Sequence, residues 1–215
     1  MKLGFLELPA IERRLYFEQA AIQRNLSPVI LEKDFWVCWL LGILFESDFA
    51  ENLVFKGGTS LSKVFGVIER FSEDIDLSLS PTFLNLPEAG TSRNQANKWM
   101  TKAEAAEKKT PDRFSRHYAD TAAMAKHPAA SKAIDQHDFR RRVVSWKSQF
   151  FGSSWANYDL AKPGTFRMVP PIERLAALRN DYQAMRDMYL SDPINFDDIL
   201  ATLANLENRI NAVSE

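Results

Sequence analysis

Two carboxylates separated by one residue are the feature of this sequence that points most directly to chemistry. Asp74 and Asp76 lie in residues 74–79 (Asp-Ile-Asp-Leu-Ser-Leu), where polar and apolar residues alternate. Alternation predicts a strand, on which side chains two residues apart point the same way, about 6 to 7 Å apart. Proteins commonly hold Mg²⁺ with one or two carboxylates plus substrate phosphates. The spacing therefore favours a site for a metal-bound phosphate.

A run of small residues precedes this strand and could receive the phosphates: Gly57, Gly58, Thr59 and Ser60. Glycine lets a backbone come close to a bulky anion, and the N–H groups at a helix start can bind phosphate. A Gly-Gly pair alone is most often a simple turn, and Asp-x-Asp alone is often a solvated face. In this order, with a helix-length spacer, the two predict a site for a metal-bound nucleotide. The spacing is neither that of a Walker phosphate loop nor Gly-x-Gly-x-x-Gly.

Three elements must position these groups. An apolar run at residues 53–55 predicts a short strand, and apolar residues within 61–68 recur at helical spacing. Residues 29–45 predict a helix, with Ser27 and Pro28 as its N-cap and first residue. This helix is so apolar that we expect it to be buried on several sides, against the sheet. The pattern predicts an α+β fold, with a small mixed β-sheet core packed by helices and a helical C-terminal part.

Two central motifs closely resemble the AbiEii/AbiGii family of nucleotidyltransferase toxins, within the DNA polymerase β-like nucleotidyltransferase superfamily. They are Lys-Gly-Gly-Thr-Ser-Leu-Ser-Lys at residues 56–63 and Arg-Phe-Ser-Glu-Asp-Ile-Asp-Leu at residues 70–77. Three outer segments resemble the family as well, at residues 32–34, 113–118 and 178–182. We interpret residues 32–34 (Glu-Lys-Asp) as the polar first turn of their helix rather than as catalytic groups.

The resemblance implies transfer of a nucleoside monophosphate from an NTP to an acceptor hydroxyl, in some members at the 3′ end of tRNA. It implies Mg²⁺ as the cofactor, held by Asp74 and Asp76, which we expect to be catalytic together with Lys63. The residues expected to bind the nucleotide are Lys56, Gly57, Gly58, Thr59, Ser60, Arg70 and Ser72. Such bacterial proteins commonly sit in toxin–antitoxin or phage-defence operons, so a cognate antitoxin and a cytoplasmic location are expected.

The sequence departs from the family pattern after the Asp-x-Asp strand. Family members continue with further strands, one of which carries a third acidic residue that helps to bind metal and activates the attacking hydroxyl. Between residues 79 and 113 we find no such strand, and residues 93–109 predict an exposed polar helix. An internal segment is therefore expected to be missing. Two alternatives to the enzyme stay open: a catalytically impaired nucleotide- or RNA-binding member, and an antitoxin-interacting protein.

The composition is that of a globular protein of 215 residues, 46% hydrophobic and 26% charged. We divide it into residues 1–90, with the N-terminal helices and the nucleotidyltransferase core, and residues 91–215, mainly helical. No run reaches membrane-spanning length, and the N-terminus lacks the apolar length of a signal peptide. The single cysteine, Cys38, fits a reducing cytosol, and its apolar surroundings predict a buried thiol.

Positive charge is concentrated in one segment of a chain whose net charge is −1. Residues 93–147 hold 13 lysines and arginines against 6 aspartates and glutamates. Such a segment is typical of a surface that faces a polyanion such as RNA, although ordinary solvated helix faces are an equal alternative. The side chains expected to contact the acceptor are Arg113, Arg116, His117 and Lys147.

Three more helices are predicted towards the C-terminus. The apolar residues behind three consecutive arginines at 140–142 favour a helix with an exposed basic start, with a strand as the alternative. Residues 172–189 keep helical spacing after a Pro-Pro pair, and a second helix follows Asn195, a suitable cap residue. We expect these last two helices to pack on the core.

Overall fold

The computed structural model describes residues 4–80, 83, 113–150 and 156–212. The chain divides into two compact units. The N-terminal unit consists of Met1–Leu86 with Ala184–Pro193, and the C-terminal unit consists of Pro87–Gln183 with Ile194–Glu215. The predicted boundary at residue 90 lies outside the described residues, so the division into 1–90 and 91–215 stays a prediction.

Three helices open the N-terminal unit: α1 (Gly4–Glu7), α2 (Ala10–Arg24) and α3 (Pro28–Phe45). α2 ends where Asn25 adopts the left-handed conformation at φ 52°, a common way of capping a helix C-terminus. Proline is the first residue of α3, as predicted. Proline suits this position because the N–H that it lacks would have no partner within the helix. Ser27 takes the N-cap position with extended backbone but makes no side-chain cap bond.

A small antiparallel sheet follows, formed by β1 (Leu53–Lys56) after a 3-10 turn and β2 (Asp76–Leu79). The helix α4 (Gly57–Lys63) begins directly after β1. The register places Lys56 opposite Asp76 and Phe55 opposite Leu77. Because side chains alternate along a strand, one face of the sheet carries this charged pair and the other face carries the apolar pair. The alternation read from the sequence therefore has its structural counterpart.

The chain between α4 and β2 is held by the returning segment Ala184–Pro193. Ile68 and Phe71 are buried at 5% and 2% exposure. The Phe71 N–H donates to the Met188 carbonyl at 2.7 Å, and the Leu190 N–H donates to the carbonyl of Glu69 at 3.0 Å. These bonds fix the stretch that leads to the carboxylates, although they come from residues more than a hundred positions later.

The prediction that α3 is buried on several sides is wrong. Val37 is its one buried residue, whereas Trp36, Leu40 and Ile43 are exposed by 37%, 42% and 46%. The prediction of a buried Cys38 is wrong as well, since that thiol is exposed. Within the described residues the sheet has two strands, and a sheet of that size covers little helix surface, which leaves an apolar helix open on most of its circumference.

The helix expected over residues 61–68 is shorter than its apolar spacing indicates. α4 ends at Lys63, and Val64 and Phe65, which follow it, are exposed by 63% and 60%. Gly66 then turns the chain at φ +60°, a conformation that favours glycine. Among the apolar residues predicted for this helix, Ile68 is buried, and it lies beyond this turn.

Among the described residues of the C-terminal unit, five helices form the regular structure, with one 3-10 turn at Tyr158–Leu160. They are α5 (Arg116–Lys126), α6 (Pro128–Ile134), α7 (His137–Phe150), α8 (Ile172–Ala184, whose last residue belongs to the N-terminal unit) and α9 (Phe196–Asn211). α9 packs on α5, and its Ile199 and Leu203 are each only 1% exposed. Asn195 caps α9 as predicted, because its side chain accepts the Asp197 N–H at 2.9 Å.

The loop before α8 is tied to α9 by a carboxylate. Glu207 accepts the N–H groups of Met168 at 2.6 Å and Val169 at 3.2 Å. The Met168 N–H is the main cause of a lowered pKa for Glu207, and burial opposes it; the Val169 N–H and the charge of Arg167 act with Met168. An ionised Glu207 therefore serves as an anchor for this loop.

The predicted α+β class with a helical C-terminal part is confirmed. Within the described residues the sheet has two strands and is antiparallel. The polar helix predicted over 93–109 lies outside those residues. In the part of the chain that is described, no helix is long and apolar enough to cross a membrane.

Candidate functional site

The carboxylate of Asp76 lies directly against the backbone of Gly57. Gly57 has φ +78°, and a Cβ atom built on it would lie 1.9 Å from Oδ2 of Asp76. Two features require glycine at this position. The backbone is left-handed, and the carboxylate fills the space that a side chain would need. The antiparallel register also sets Lys56 directly opposite Asp76. Asp76 and Lys56 thus lie on one face of the sheet, beside the backbone of Gly57.

The second glycine is backed by an arginine and a serine. A Cβ atom on Gly58 would lie 2.8 Å from Nη2 of Arg70 and 3.2 Å from Oγ of Ser72. Arg70 is only 4% exposed, and its Nη1 donates to the Phe71 carbonyl at 3.1 Å. A guanidinium is always charged in proteins, so a fixed positive charge lies against the glycine turn.

Thr59 and Ser60 point inward and hold the turn in place. They are 1% and 3% exposed. The Thr59 hydroxyl donates to the Asp74 carbonyl and the Ser60 hydroxyl donates to the Phe55 carbonyl at 3.2 Å. Both hydroxyls bond to backbone carbonyls, so they fix α4 against β1 and against the residues that precede β2.

Asp74 lies two residues before the start of β2, and both it and Asp76 are exposed to solvent. Their donor chemistry fits Mg²⁺, which takes oxygen ligands and keeps room for water and phosphate oxygens. Within the described ranges, no group of three or more His, Cys, Asp or Glu side chains is arranged to hold a metal ion. The two aspartates would therefore be the protein's contribution, with substrate phosphates and water completing the shell.

Lys63 is paired with a carboxylate of α3. Its Nζ lies 2.5 Å from both Oδ1 and Oδ2 of Asp34, and the two side chains are 29% and 28% exposed. The preceding residue of α3, Lys33, pairs with Glu73 at 3.1 Å, with 48% and 35% of the side chains exposed. Two adjacent residues of α3 thus contact the last residue of α4 and the residue that precedes Asp74.

The structure gathers the predicted nucleotide-binding and catalytic residues in the N-terminal unit. Strand register, hydrogen bonds and close approaches connect them in one small region: Lys56, Gly57, Gly58, Thr59, Ser60, Lys63, Arg70, Ser72, Asp74 and Asp76. The predicted acceptor contacts lie in the C-terminal unit, where Arg113 and His117 are exposed, Arg116 begins α5, and Lys147 is exposed on α7.

The segment that begins at Arg113 is bound by a carboxylate from α8. Asp181 accepts the Arg113 N–H at 2.7 Å, the Ser115 N–H at 2.8 Å and the Ser115 hydroxyl at 2.6 Å. Burial raises the pKa of Asp181, but these bonds and the charge of Arg116 outweigh it, so the pKa ends below its ordinary value. Ser115 is fully buried, and Arg113 has a positive φ of 63°.

Sequence reasoning misses two of these partners. The sequence pattern places Asp34 in a polar helix turn and gives no role to Asp181. Both lie in outer segments that resemble the nucleotidyltransferase family, at residues 32–34 and 178–182. That resemblance marks both segments as candidates for a role. It does not predict that residues 32–34 contact Lys63 or that residues 178–182 contact residues 113–115.

Residues 39–114 match the family model described as Nucleotidyl transferase AbiEii toxin, Type IV TA system. The match contains both central motifs and confirms the resemblance on which they were interpreted. The family is one of nucleotidyltransferase toxins of type IV toxin–antitoxin systems. Residues 32–34 and 178–182 lie outside the match. No curated protein and no solved structure matches the chain.

Proposed function

We propose that this protein transfers a nucleoside monophosphate from an NTP to a hydroxyl of tRNA, as the toxin of a toxin–antitoxin or phage-defence system in the cytoplasm. The observation that supports this most is the contact between Asp76 and Gly57, with Asp74 exposed two residues away. A carboxylate pair beside a bare, positively backed turn is what a metal-bound triphosphate requires. The matched family supplies the reaction class.

In this proposal the triphosphate lies over the turn formed by Gly57 and Gly58. The Cβ positions of these glycines are taken by the Asp76 carboxylate and the Arg70 guanidinium, so both groups lie at the turn where the phosphates would bind. Arg70 behind Gly58 and Lys56 beside Asp76 supply positive charge. A cation with little solvent around it acts more strongly on an anion than one in bulk water, which gives the 4% exposed Arg70 particular weight.

Asp74 and Asp76 would hold Mg²⁺, which when bound neutralises phosphate charge and orients the phosphates. The acceptor hydroxyl gives its proton to solvent, its oxygen bonds to the α-phosphorus, and the bond between the α-phosphorus and the bridging oxygen breaks, which releases pyrophosphate. Lys56 and Arg70 offset the negative charge that builds up on the leaving pyrophosphate. The contribution of these residues is alignment and charge stabilisation, as in phosphoryl transfer generally.

The test is to incubate the protein with Mg²⁺, total tRNA and each of the four NTPs labelled at the α-phosphate. We expect label on tRNA from one preferred NTP, lost on chelation and restored by added Mg²⁺. Asp76→Ala should lower transfer about a thousandfold or more, because stabilisation of developing charge usually contributes more to catalysis than any other effect. Folding should be unaffected, since Asp76 is exposed.

Asp48→Ala is the matched control, an exposed aspartate of the same unit in the turn after α3. It should transfer at the wild-type rate. Label on the protein itself would overturn tRNA as the acceptor. Metal-dependent NTP binding without any labelled product would support the impaired, nucleotide-binding alternative instead.

The toxin role has its own measurement. Expression of the wild-type protein should arrest bacterial growth, and expression of the Asp76→Ala variant at an equal level should not. A cognate antitoxin would be identified as the gene product that restores growth on co-expression. Arrest by the Asp76→Ala variant would show that toxicity does not depend on transfer.

A further inference from the structure

The geometry points to Asp34 as a positioning residue: its ion pair with Lys63 fixes α4 and thereby the glycine turn against Asp76. This inference rests on the proposed function for its kinetic readout. It gives Lys63 a different role from the catalytic one expected from the resemblance, because its ammonium is held by both carboxylate oxygens of Asp34 at 2.5 Å.

α4 needs such a tie because it is short. Its seven residues form fewer than two turns and few hydrogen bonds of their own, and helices of that length are not stable alone. The hydroxyls of Thr59, Ser60 and Ser62 attach it to carbonyls within residues 55–74. The Asp34 pair connects its last residue to α3, an eighteen-residue helix outside that stretch.

The partial burial of the two side chains favours a positioning role. Both side chains are less than one-third exposed, so solvent screens their attraction less than it does for the neighbouring Lys33–Glu73 pair. Contact of the Lys63 ammonium with both oxygens of Asp34 also fixes the distance between the end of α4 and α3. The pair is therefore suited to hold one arrangement of α4 rather than only to add surface charge.

A small movement of α4 would change the contact between Gly57 and Asp76. The space between the Gly57 backbone and the Asp76 carboxylate is already filled, since a Cβ there would lie 1.9 Å from Oδ2. If the far end of α4 moves, Gly57 at its near end shifts with it. Misplacement by about 1 Å can lower a rate by about a hundredfold even when no reacting group is lost.

The experiment compares Asp34→Asn, Lys63→Gln and the charge-exchanged double variant Asp34→Lys/Lys63→Asp in the tRNA transfer assay, well below the unfolding temperature. We expect each single variant to lower kcat about tenfold or more with little change in KM for the NTP, because alignment and not ground-state binding is lost. The double variant should recover most of the lost kcat, since it restores an ion pair in the same place.

Glu18→Gln is the matched control. Glu18 pairs with Arg14 within α2, so this change breaks an ion pair that joins no two elements, and kcat should stay at the wild-type value. The inference is overturned if Asp34→Asn keeps the wild-type kcat. It is also overturned if Lys63→Gln raises KM and the double variant stays inactive, the pattern of a lysine that contacts phosphate.

A second readout separates this inference from the proposed function. Backbone amide hydrogen exchange of residues 57–63 should be faster in Asp34→Asn than in wild type and in Glu18→Gln, and slow again in the double variant. If wild type transfers no nucleotide but the four proteins differ in exchange as described, the proposed function fails and the positioning role stands. Unchanged exchange in Asp34→Asn overturns the positioning role, whatever the activity.

Discussion

Asp76 in the N-terminal unit and Asp181 in the C-terminal unit are carboxylates in opposite surroundings. Asp181 accepts two N–H groups and a hydroxyl from residues 113–115. Asp76 is exposed, and its carboxylate fills the place that a side chain on Gly57 would take. A carboxylate that is engaged by donors serves as an anchor, whereas one that faces solvent beside a bare backbone keeps its oxygens for a ligand. Asp181 is thus a structural carboxylate, and the proposed function gives Asp76 a chemical role.

The largest effect should come from filling the space beside Asp76. Gly57→Ala puts a methyl group 1.9 Å from Oδ2 and forces a side chain into φ +78°. We expect transfer to tRNA to be lost. Gly66→Ala is the matched control, because it has the same kind of strain at φ +60° with nothing within 4 Å. It should cost about 1–2 kcal/mol of stability and keep activity. Equal activity of the two variants would contradict the assignment of the site.

A stability change should follow from Asp181→Asn. The amide keeps one acceptor oxygen but turns an NH₂ group towards donors, so at least one bond to residues 113–115 is lost. We expect the free energy of unfolding of the C-terminal unit to fall by about 1–3 kcal/mol. The measurement is chemical denaturation followed by circular dichroism, with the exposed Asp159→Asn as the control.

The same comparison can be made for Asp76. Asp76→Asn should leave the free energy of unfolding near the wild-type value while transfer is lost. A large drop in stability in this variant would mean that Asp76 is an anchor like Asp181, which would break the distinction between the two carboxylates.

A smaller effect is expected in the acid dependence of stability. The pKa of Asp181 in the folded protein lies below its ordinary value of 3.8. Its contribution is therefore complete above pH 3.8 and is lost as the pH falls from there through the lowered pKa. Thermal unfolding from about pH 5 to about pH 2 should show a smaller pH-dependent loss in Asp181→Asn than in wild type. An identical loss would mean that this carboxylate titrates normally.

The smallest effect should come from the ion pair between Arg179 and Asp197. The two side chains form two contacts, which lower the pKa of Asp197, but the groups are solvent-exposed. Screening by solvent and salt makes such pairs weak. Asp197→Asn should shift the unfolding midpoint too little to resolve at about 0.15 M salt, and a clear shift would show that exposure alone does not separate anchors from surface pairs.

Much of the local structure could be predicted from the sequence. α3 begins at Pro28 after Ser27, and α9 follows its predicted cap residue Asn195, because these residue types suit the start of a helix. The order of strand, glycine turn, helix and Asp-x-Asp could also be predicted, since each part depends on residues close together in the chain. The exposure of α3 could not, because it depends on how many strands lie beside it.

The sequence by itself determined which residues can hold a metal-bound nucleotide: two aspartates, two glycines and the cations near them. Only the tertiary structure decided which charged groups meet. Asp34 reaches Lys63 across 29 positions, and Asp181 reaches Ser115 across 66. Propensity and periodicity act over a few residues, whereas these contacts depend on how distant segments close on each other. That is why Lys63, which the resemblance implies to be catalytic, is found in an ion pair with Asp34 that the sequence does not predict.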